Sequence, residues 1–236
     1  MDESERLSVF KAQTLNVRDL VQSWAHVNRQ INALLLQKNE KAVETQTKLL
    51  ALIYCALAES TFSKVIHTPH GLELDEIEQI KQETSHGVKA GWIKCAELSI
   101  RRVQGGKANY QPNVLRKLSD LIDAYIFDPS LIRNKLAHGQ WAIALNRDNT
   151  AINAEITAQI RDLTVVELYR RKFSLEQLGK LLEDMIESPK KAHRRDYWVH
   201  LTSLEERETE MAEWTMDRKR DQLFKKKSLA NRSDHS

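Results

Sequence analysis

Residues 49–58 read LLALIYCALA, the densest apolar run in the chain. Its length is half of the ~20 residues that a membrane crossing needs, and Lys48 and Glu59 bound it. A helix is expected around it, from about Lys41 to Ile66, and its apolar density makes it the central element of a bundle. The sequence HTPHG follows, where Pro69 and Gly71 both break helices. On the N-terminal side, Leu7, Phe10, Leu20, Val21, Trp24, Val27, Ile31, Leu34 and Leu35 recur mostly at steps of three and four. That spacing predicts a helix over the first 38 residues, broken at Asn39 and Glu40.

On the C-terminal side, Asp75 is placed to cap a third helix running to Val103. Gly87 and Gly91 lie four apart inside it and mark either a kink or a close helix contact, since each costs about 1 kcal/mol relative to Ala. A loop, QGGKANYQP, leads to a fourth helix over about Asn113 to Tyr125. Then comes FDPSLIRNKLAHGQW. Asp128 suits an N-cap, Pro129 a first helical position and Gly139 the residue past a C-terminus, so 129–138 should form a short helix. WAIALN and TAINAEITAQI alternate apolar and polar residues, which predicts a β-hairpin over about 140–158. Helical spacing resumes near Thr164 and runs through SLEQLGKLLEDMIES. The expected fold is mainly α: a helical domain over 1–188 with a small inserted β-hairpin, then, over 189–236, a long charged C-terminal helix with disorder after about Lys227.

Composition narrows the function classes. Among 236 residues, 7 Gly and 4 Pro exclude collagen-like and Gly/Pro-rich disordered chains. Two cysteines cannot build a disulfide scaffold, and Cys55 and Cys95 fall in helix interiors, as buried thiols of a reducing compartment would. The start, MDESERLSVFK, lacks the apolar core of a signal peptide. The expectation is a soluble, cytoplasmic protein with no membrane partner. The formal charge is +3, carried entirely by the segment after Ser188. The main domain is neutral, so an argument for nucleic acid must come from a local site.

That site is the short helix. At about 100° per residue, with Leu131 at zero, Ile132 and Leu136 form the buried stripe near 100° and 140°. Arg133, Ala137, Asn134 and His138 fall between about 200° and 340° and form one arc opposite the core. Lys135, near 40°, must snorkel, or the helix must bend there. His titrates near neutrality and can act as general base or acid. Arg grips phosphate through a planar fork, and Asn can orient either partner. Such a set suits metal-free cleavage of RNA, with no cofactor. One His cannot easily serve both faces of an in-line displacement, so a homodimer is expected. With 17 Arg and 8 His in the chain, Arg-x4-His alone has little specificity, and a second pair, Arg195 and His200, reads as a charged helix face. The cap, Asn134 and Gly139 distinguish the first pair.

RNKLAHG resembles the Arg-polar-x3-His motif of the HEPN superfamily (higher eukaryotes and prokaryotes nucleotide-binding). The order of long helices before a short motif-bearing helix is also similar, over roughly residues 20–187. The resemblance implies an α-helical domain, an active site at a dimer interface, and in many members metal-independent endoribonuclease activity in toxin–antitoxin or antiviral defence. It implies Arg133, Asn134 and His138 as the catalytic set, and an antitoxin or regulatory protein as a further partner. In members silenced by a nucleotidyltransferase antitoxin, a Tyr two residues after the His is modified. Here that residue is Gln140. Some members are non-catalytic, so a dimer that binds RNA, nucleotide or protein is the alternative, and a docking module acting through the C-terminal helix is a third.

Other residues complete the picture. Glu59 either faces solvent or pairs with Arg133. His67 and His70 form no complete metal site, and no metal is expected. Trp24, Trp92 and Trp141 suit the core or an interface. Arg218, Lys219, Arg220, Lys225, Lys226 and Lys227 read as a solvated tail or as a supplementary RNA-attracting segment.

Overall fold

The computed structural model describes residues 1–103 and 109–233. They form a helical bundle built from α1 (Glu3–Leu36), α2 (Glu40–Ile66), α3 (Leu74–Ser85), α4 (Val88–Arg101), α5 (Tyr110–Ile122), α6 (Asp128–Ala137), α7 (Ala154–Asp162), α8 (Val165–Glu187), α9 (Ala192–Ala212) and α10 (Met216–Ser233). A π-helical turn, Asp123–Phe127, joins α5 to α6.

The apolar run does sit at the centre. Leu50, Tyr54, Leu57 and Val65 of α2 are buried, and α2 packs against α1, α6 and α8. By length and composition α2 could cross a membrane, and in this fold half of its apolar window is buried. The break between α1 and α2 falls where expected. Lys38 adopts φ 58°, and Lys38 and Asn39 donate their N–H groups to Leu35 and Leu34, closing the end of α1 in a Schellman motif. Asn39 then caps α2 by accepting from the Ala42 N–H at 3.2 Å. At the other end of the pair, the buried Arg6 donates to the carbonyls of Thr68 and Leu72, beyond the end of α2.

The third expected helix is two helices. The break lies at Gly87, whose φ is +140°, and the cap is Glu73, not Asp75. Gly91 marks the close contact: a Cβ there would lie 2.1 Å from Thr84 Oγ1 and 3.3 Å from Thr84 Cα. Both readings of the glycine pair are therefore met, one by each residue. The expected loop before the fourth helix falls partly on residues 104–108, outside the described ones. Helix α5 begins at Tyr110.

Two further expectations are corrected. Helix α6 has no separate beginning: Phe127 is itself helical, with φ −69° and ψ −57°, so Asp128 is not an N-cap. The Asp128 N–H donates to the carbonyl of Asp123, five residues back, and the chain stays helical from Tyr110 to Ala137. The β-hairpin over 140–158 is not formed. Among the described residues β pairing is confined to an isolated antiparallel bridge, Leu145 to Ile152. Asn153 instead caps α7, accepting from the Ile156 N–H at 3.0 Å, and Ile156 and Ile160, four apart, are buried on one face. The alternation is real, but the cap and the i, i+4 pair outweigh it.

The charged segment after Pro189 folds as two helices. Helix α9 packs along α8 and buries Tyr197, Leu201, Leu204 and Met211. Helix α10 packs on α1 and α8 and continues through Ser233, beyond the point where disorder is expected from composition. His193 anchors the start of α9. Its Nε2 lies 2.9 Å from the hydroxyl of Tyr110, and its ring centroid is 5.0 Å from that of Tyr197.

Burial lowers the pKa of His193 from the usual 6.5 to about 4. Below pH 6.5 the unfolded chain therefore takes up a proton that the folded chain excludes. Stability should fall as pH drops from 6.5 to 4, by up to about 3 kcal/mol from this group. Urea unfolding of wild type and His193→Gln across that window should show the smaller loss in the variant.

The π turn has its own support. Pro129 has no N–H to offer the carbonyl four residues back, that of Tyr125. The buried Tyr54 hydroxyl of α2 donates to that oxygen at 2.6 Å. Tyr54→Phe should cost about 1–3 kcal/mol, the penalty for removing a donor from a buried carbonyl, measurable as a lower urea midpoint.

Candidate active site

Helix α6 lies against α2 with both chains running the same way. Cys55 Sγ is 3.6 Å from the carbonyl of Pro129, and one turn on, Glu59 pairs with Arg133. Pro129, Ile132 and Leu136 are buried. The opposite side carries the arc: Asn134, Ala137 and His138 are exposed and Arg133 half-buried. The structure thus brings Arg133, Asn134 and His138 to one outward face, and joins Glu59 to them through Arg133.

The end of α6 is closed by local chemistry. His138 is the C-cap. Gly139 follows with φ +77°, a conformation that favours glycine. The N–H groups of Gly139 and Gln140 donate to Leu136 and Lys135 at 3.1 and 2.9 Å, again a Schellman motif. Lys135 reaches sideways and donates to the carbonyl of Leu145 at 2.6 Å, so its ammonium is held by the loop and not by the arc. Gln140 Oε1 accepts from the Leu145 N–H at 2.8 Å, and Trp141 Nε1 donates to Leu136 O at 2.9 Å. Both side chains brace the reversal after the helix.

Among the described residues the His138 ring makes no hydrogen bond, which leaves both nitrogens open to a ligand. The guanidinium of Arg133 is aimed by the Glu59 carboxylate. Cys55 stands close by but is no nucleophile: burial pushes its thiol up to about 12, and Cys95 likewise. Both cysteines are free and buried.

Next to the arc lies a groove of about 640 Å³ between α4 and α6. One wall is Phe127, Ser130, Leu131 and Asn134, spaced i, i+3, i+4, i+7, so they form a single helical stripe. The opposite wall is the first half of α4, with Lys89, Ile93 and Lys94. Asn134 belongs to both stripe and arc. Phe127 belongs to no sequence motif, although its spacing of seven from Asn134 is helical. Pro129 reads as the start of a helix, and the helix already contains Phe127.

The remaining candidates lie elsewhere. Arg195 pairs with Asp196 and His200 lies 3.3 Å from Asp184, so both side chains of the second Arg-x4-His are occupied by carboxylates. Arg218, Lys219, Arg220, Lys225, Lys226 and Lys227 all lie on α10, which packs on α1 and α8, whereas α6 packs on α2, the π turn and α7. Arg220 pairs with Glu40 at 2.8 Å, and Lys225–Lys227 are exposed. His67 is buried, with Nδ1 2.6 Å from the Ser63 carbonyl. Trp92 is buried and stacked on Phe62 at 4.7 Å, Trp24 is buried, and Trp141 packs against the core.

No family model, no curated protein and no solved structure matches this chain.

The Glu59 carboxylate is 51% exposed and the Arg133 guanidinium 33%, so the pair is largely screened by solvent. Glu59→Gln should lower stability by less than about 1 kcal/mol in urea unfolding. A larger loss would mean that the pair holds α6 in place and does not merely aim Arg133.

Proposed function

We propose that this chain is a metal-independent endoribonuclease of the HEPN type, working in the cytoplasm as a toxin or defence effector. The observation that carries the reading is the outward arc of α6, where Arg133 is oriented by Glu59, Asn134 stands beside it and the His138 ring is free of partners among the described residues. The sequence resemblance of RNKLAHG to the HEPN motif supports it. So does the helical bundle that presents the motif.

The chemistry assigns each residue a task. The imidazole of His138 takes the proton of a ribose 2′-OH. The 2′ oxygen attacks the adjacent phosphorus in line, and Arg133 offsets the charge that builds on the phosphoryl oxygens. The bond from phosphorus to the 5′ oxygen breaks, and that oxygen takes a proton from a second imidazolium. The products are a 2′,3′-cyclic phosphate and a 5′-hydroxyl. The acid and base must stand on opposite faces of the phosphorus. A single arc offers one His, so a second copy of the chain supplies the other across a two-fold axis. Asn134 positions the phosphate between them. A regulatory protein that covers the arc would hold the enzyme silent.

Incubating the purified protein with transfer RNA and total RNA in excess EDTA tests this. Wild type should yield fragments ending in 2′,3′-cyclic phosphate, and His138→Ala and Arg133→Ala should each be slower by about 10²–10⁴-fold, the usual weight of a general acid–base or charge-stabilising group. Glu59→Gln should slow cleavage less than Arg133→Ala. RNA left intact by wild type but bound at the arc would assign the chain instead to the non-cleaving binding modules.

A further inference from the structure

We propose that the groove between α4 and α6 is the subsite for one unpaired nucleobase of the RNA whose backbone lies on the arc. The inference rests on the ribonuclease reading of that arc and names the class of RNA it takes, single-stranded segments and loops.

Three observations carry it. The first is continuity. Asn134 ends the stripe that forms one wall of the groove and also sits in the arc, so a chain of nucleotides crossing His138 and Arg133 passes directly to the groove mouth. The second is Phe127. It is 38% exposed, while its neighbour Ile126 is buried. Phe127 closes the π turn, an insertion of one residue that is frequent at functional sites and unusual elsewhere in helices. An aromatic side chain held at a groove wall offers a stacking surface that any base can use. Lys89, whose Nζ is 5.4 Å from the centre of that ring, is itself paired with Asp123.

The third is charge. Lys89 and Lys94 line the groove together with Glu83 and Glu97, and Lys89 is already paired. A phosphate placed inside would meet two carboxylates with little net attraction. A neutral base suits the balance: Ile93 and Leu131 provide apolar walls. A volume of about 640 Å³ falls within the range of small-molecule sites and accommodates a base with its ribose. Inside a duplex the base would be stacked and paired, so only a splayed nucleotide can enter.

The experiment uses a 2′-O-methyl RNA hairpin, which cannot be cleaved by this route, and a fully paired duplex of the same modification. Both are titrated by fluorescence anisotropy against wild type, Phe127→Ala, Phe127→Tyr and Lys94→Ala. Phe127→Ala should weaken hairpin binding by roughly tenfold, the worth of one stacked base, and leave duplex binding unchanged, while Phe127→Tyr retains the affinity. In cleavage of unmodified RNA, Phe127→Ala should raise KM more than it lowers kcat. Hairpin affinity unchanged in Phe127→Ala would overturn the inference, as would a Lys94→Ala effect equal on hairpin and duplex, which would place backbone phosphate in the groove. The two levels separate cleanly. Cleavage lost in His138→Ala but indifferent to Phe127 removes the base subsite and leaves the ribonuclease. Hairpin binding lost in Phe127→Ala by a protein that cuts no RNA removes the ribonuclease and leaves an RNA-binding groove.

Discussion

The hydroxyl of Tyr54 is the point on which α6 is hung. It lies in the middle of α2, is almost fully buried, and donates to the Tyr125 carbonyl within the π turn. The same hydroxyl lies 3.4 Å from the carbonyl of Arg171 on α8. One phenol therefore ties together the central helix, the turn that precedes the active helix, and the helix that closes the bundle behind it. Burial also holds the phenol well above its ordinary pKa, so it stays a donor at any physiological pH. Pro129 leaves room for that donor, because a proline has no N–H to offer the carbonyl four residues before it.

From this contact the arrangement of the site follows. With the π turn pinned, α6 runs beside α2 and sets Glu59 against Arg133, one turn beyond Cys55 and Pro129. The buried residues Ile132 and Leu136 fix the rotation of α6, and rotation alone decides which side chains face outward. The Schellman closure at Gly139 then ends the helix at His138, so the imidazole stands at the helix end and not within the next element. Lys135, the one cation of α6 that points elsewhere, is drawn off to Leu145. The site is thus positioned mainly by backbone geometry and core packing, and little by its own polar contacts.

The tail shows the opposite balance. Its composition is charged and its apolar residues are widely spaced, yet α9 buries a continuous set, Tyr197, Leu201, Leu204 and Met211. These lie at i, i+4, i+7 and i+14, a periodicity that intervening charges obscure. His193, wedged between Tyr110 and Tyr197, adds a further contact at the start of the helix. The segment that reads as an appendage therefore contributes to the core around α8.

Much of the fold and of the site is legible in the order of the residues. The central role of residues 49–58, the break at Asn39, the end at HTPHG and the outward arc of Arg133, Asn134, Ala137 and His138 are all consequences of apolar spacing and of Gly, Pro and Asn chemistry, which act within a few residues. The pairing of Glu59 with Arg133 is one of two options open to the sequence, and the approach of α2 to α6 decides between them. Three features lie beyond local patterns. Residues 140–158 alternate like a hairpin, but with no neighbouring strand among the described residues to complete a sheet, Asn153 and the Ile156–Ile160 pair win as a helix. Asp128 and Pro129 look like a helix start, but the helix continues through them, and Tyr54, 71 residues away from Tyr125 in sequence, bonds the carbonyl that Pro129 cannot reach. That continuation brings Phe127 into line with Asn134. Which residues can form the arc follows from their order along the chain, because the helical period is a local property. What stands beside the arc is set by packing, because a groove is made by two helices and neither one's sequence specifies the other's position.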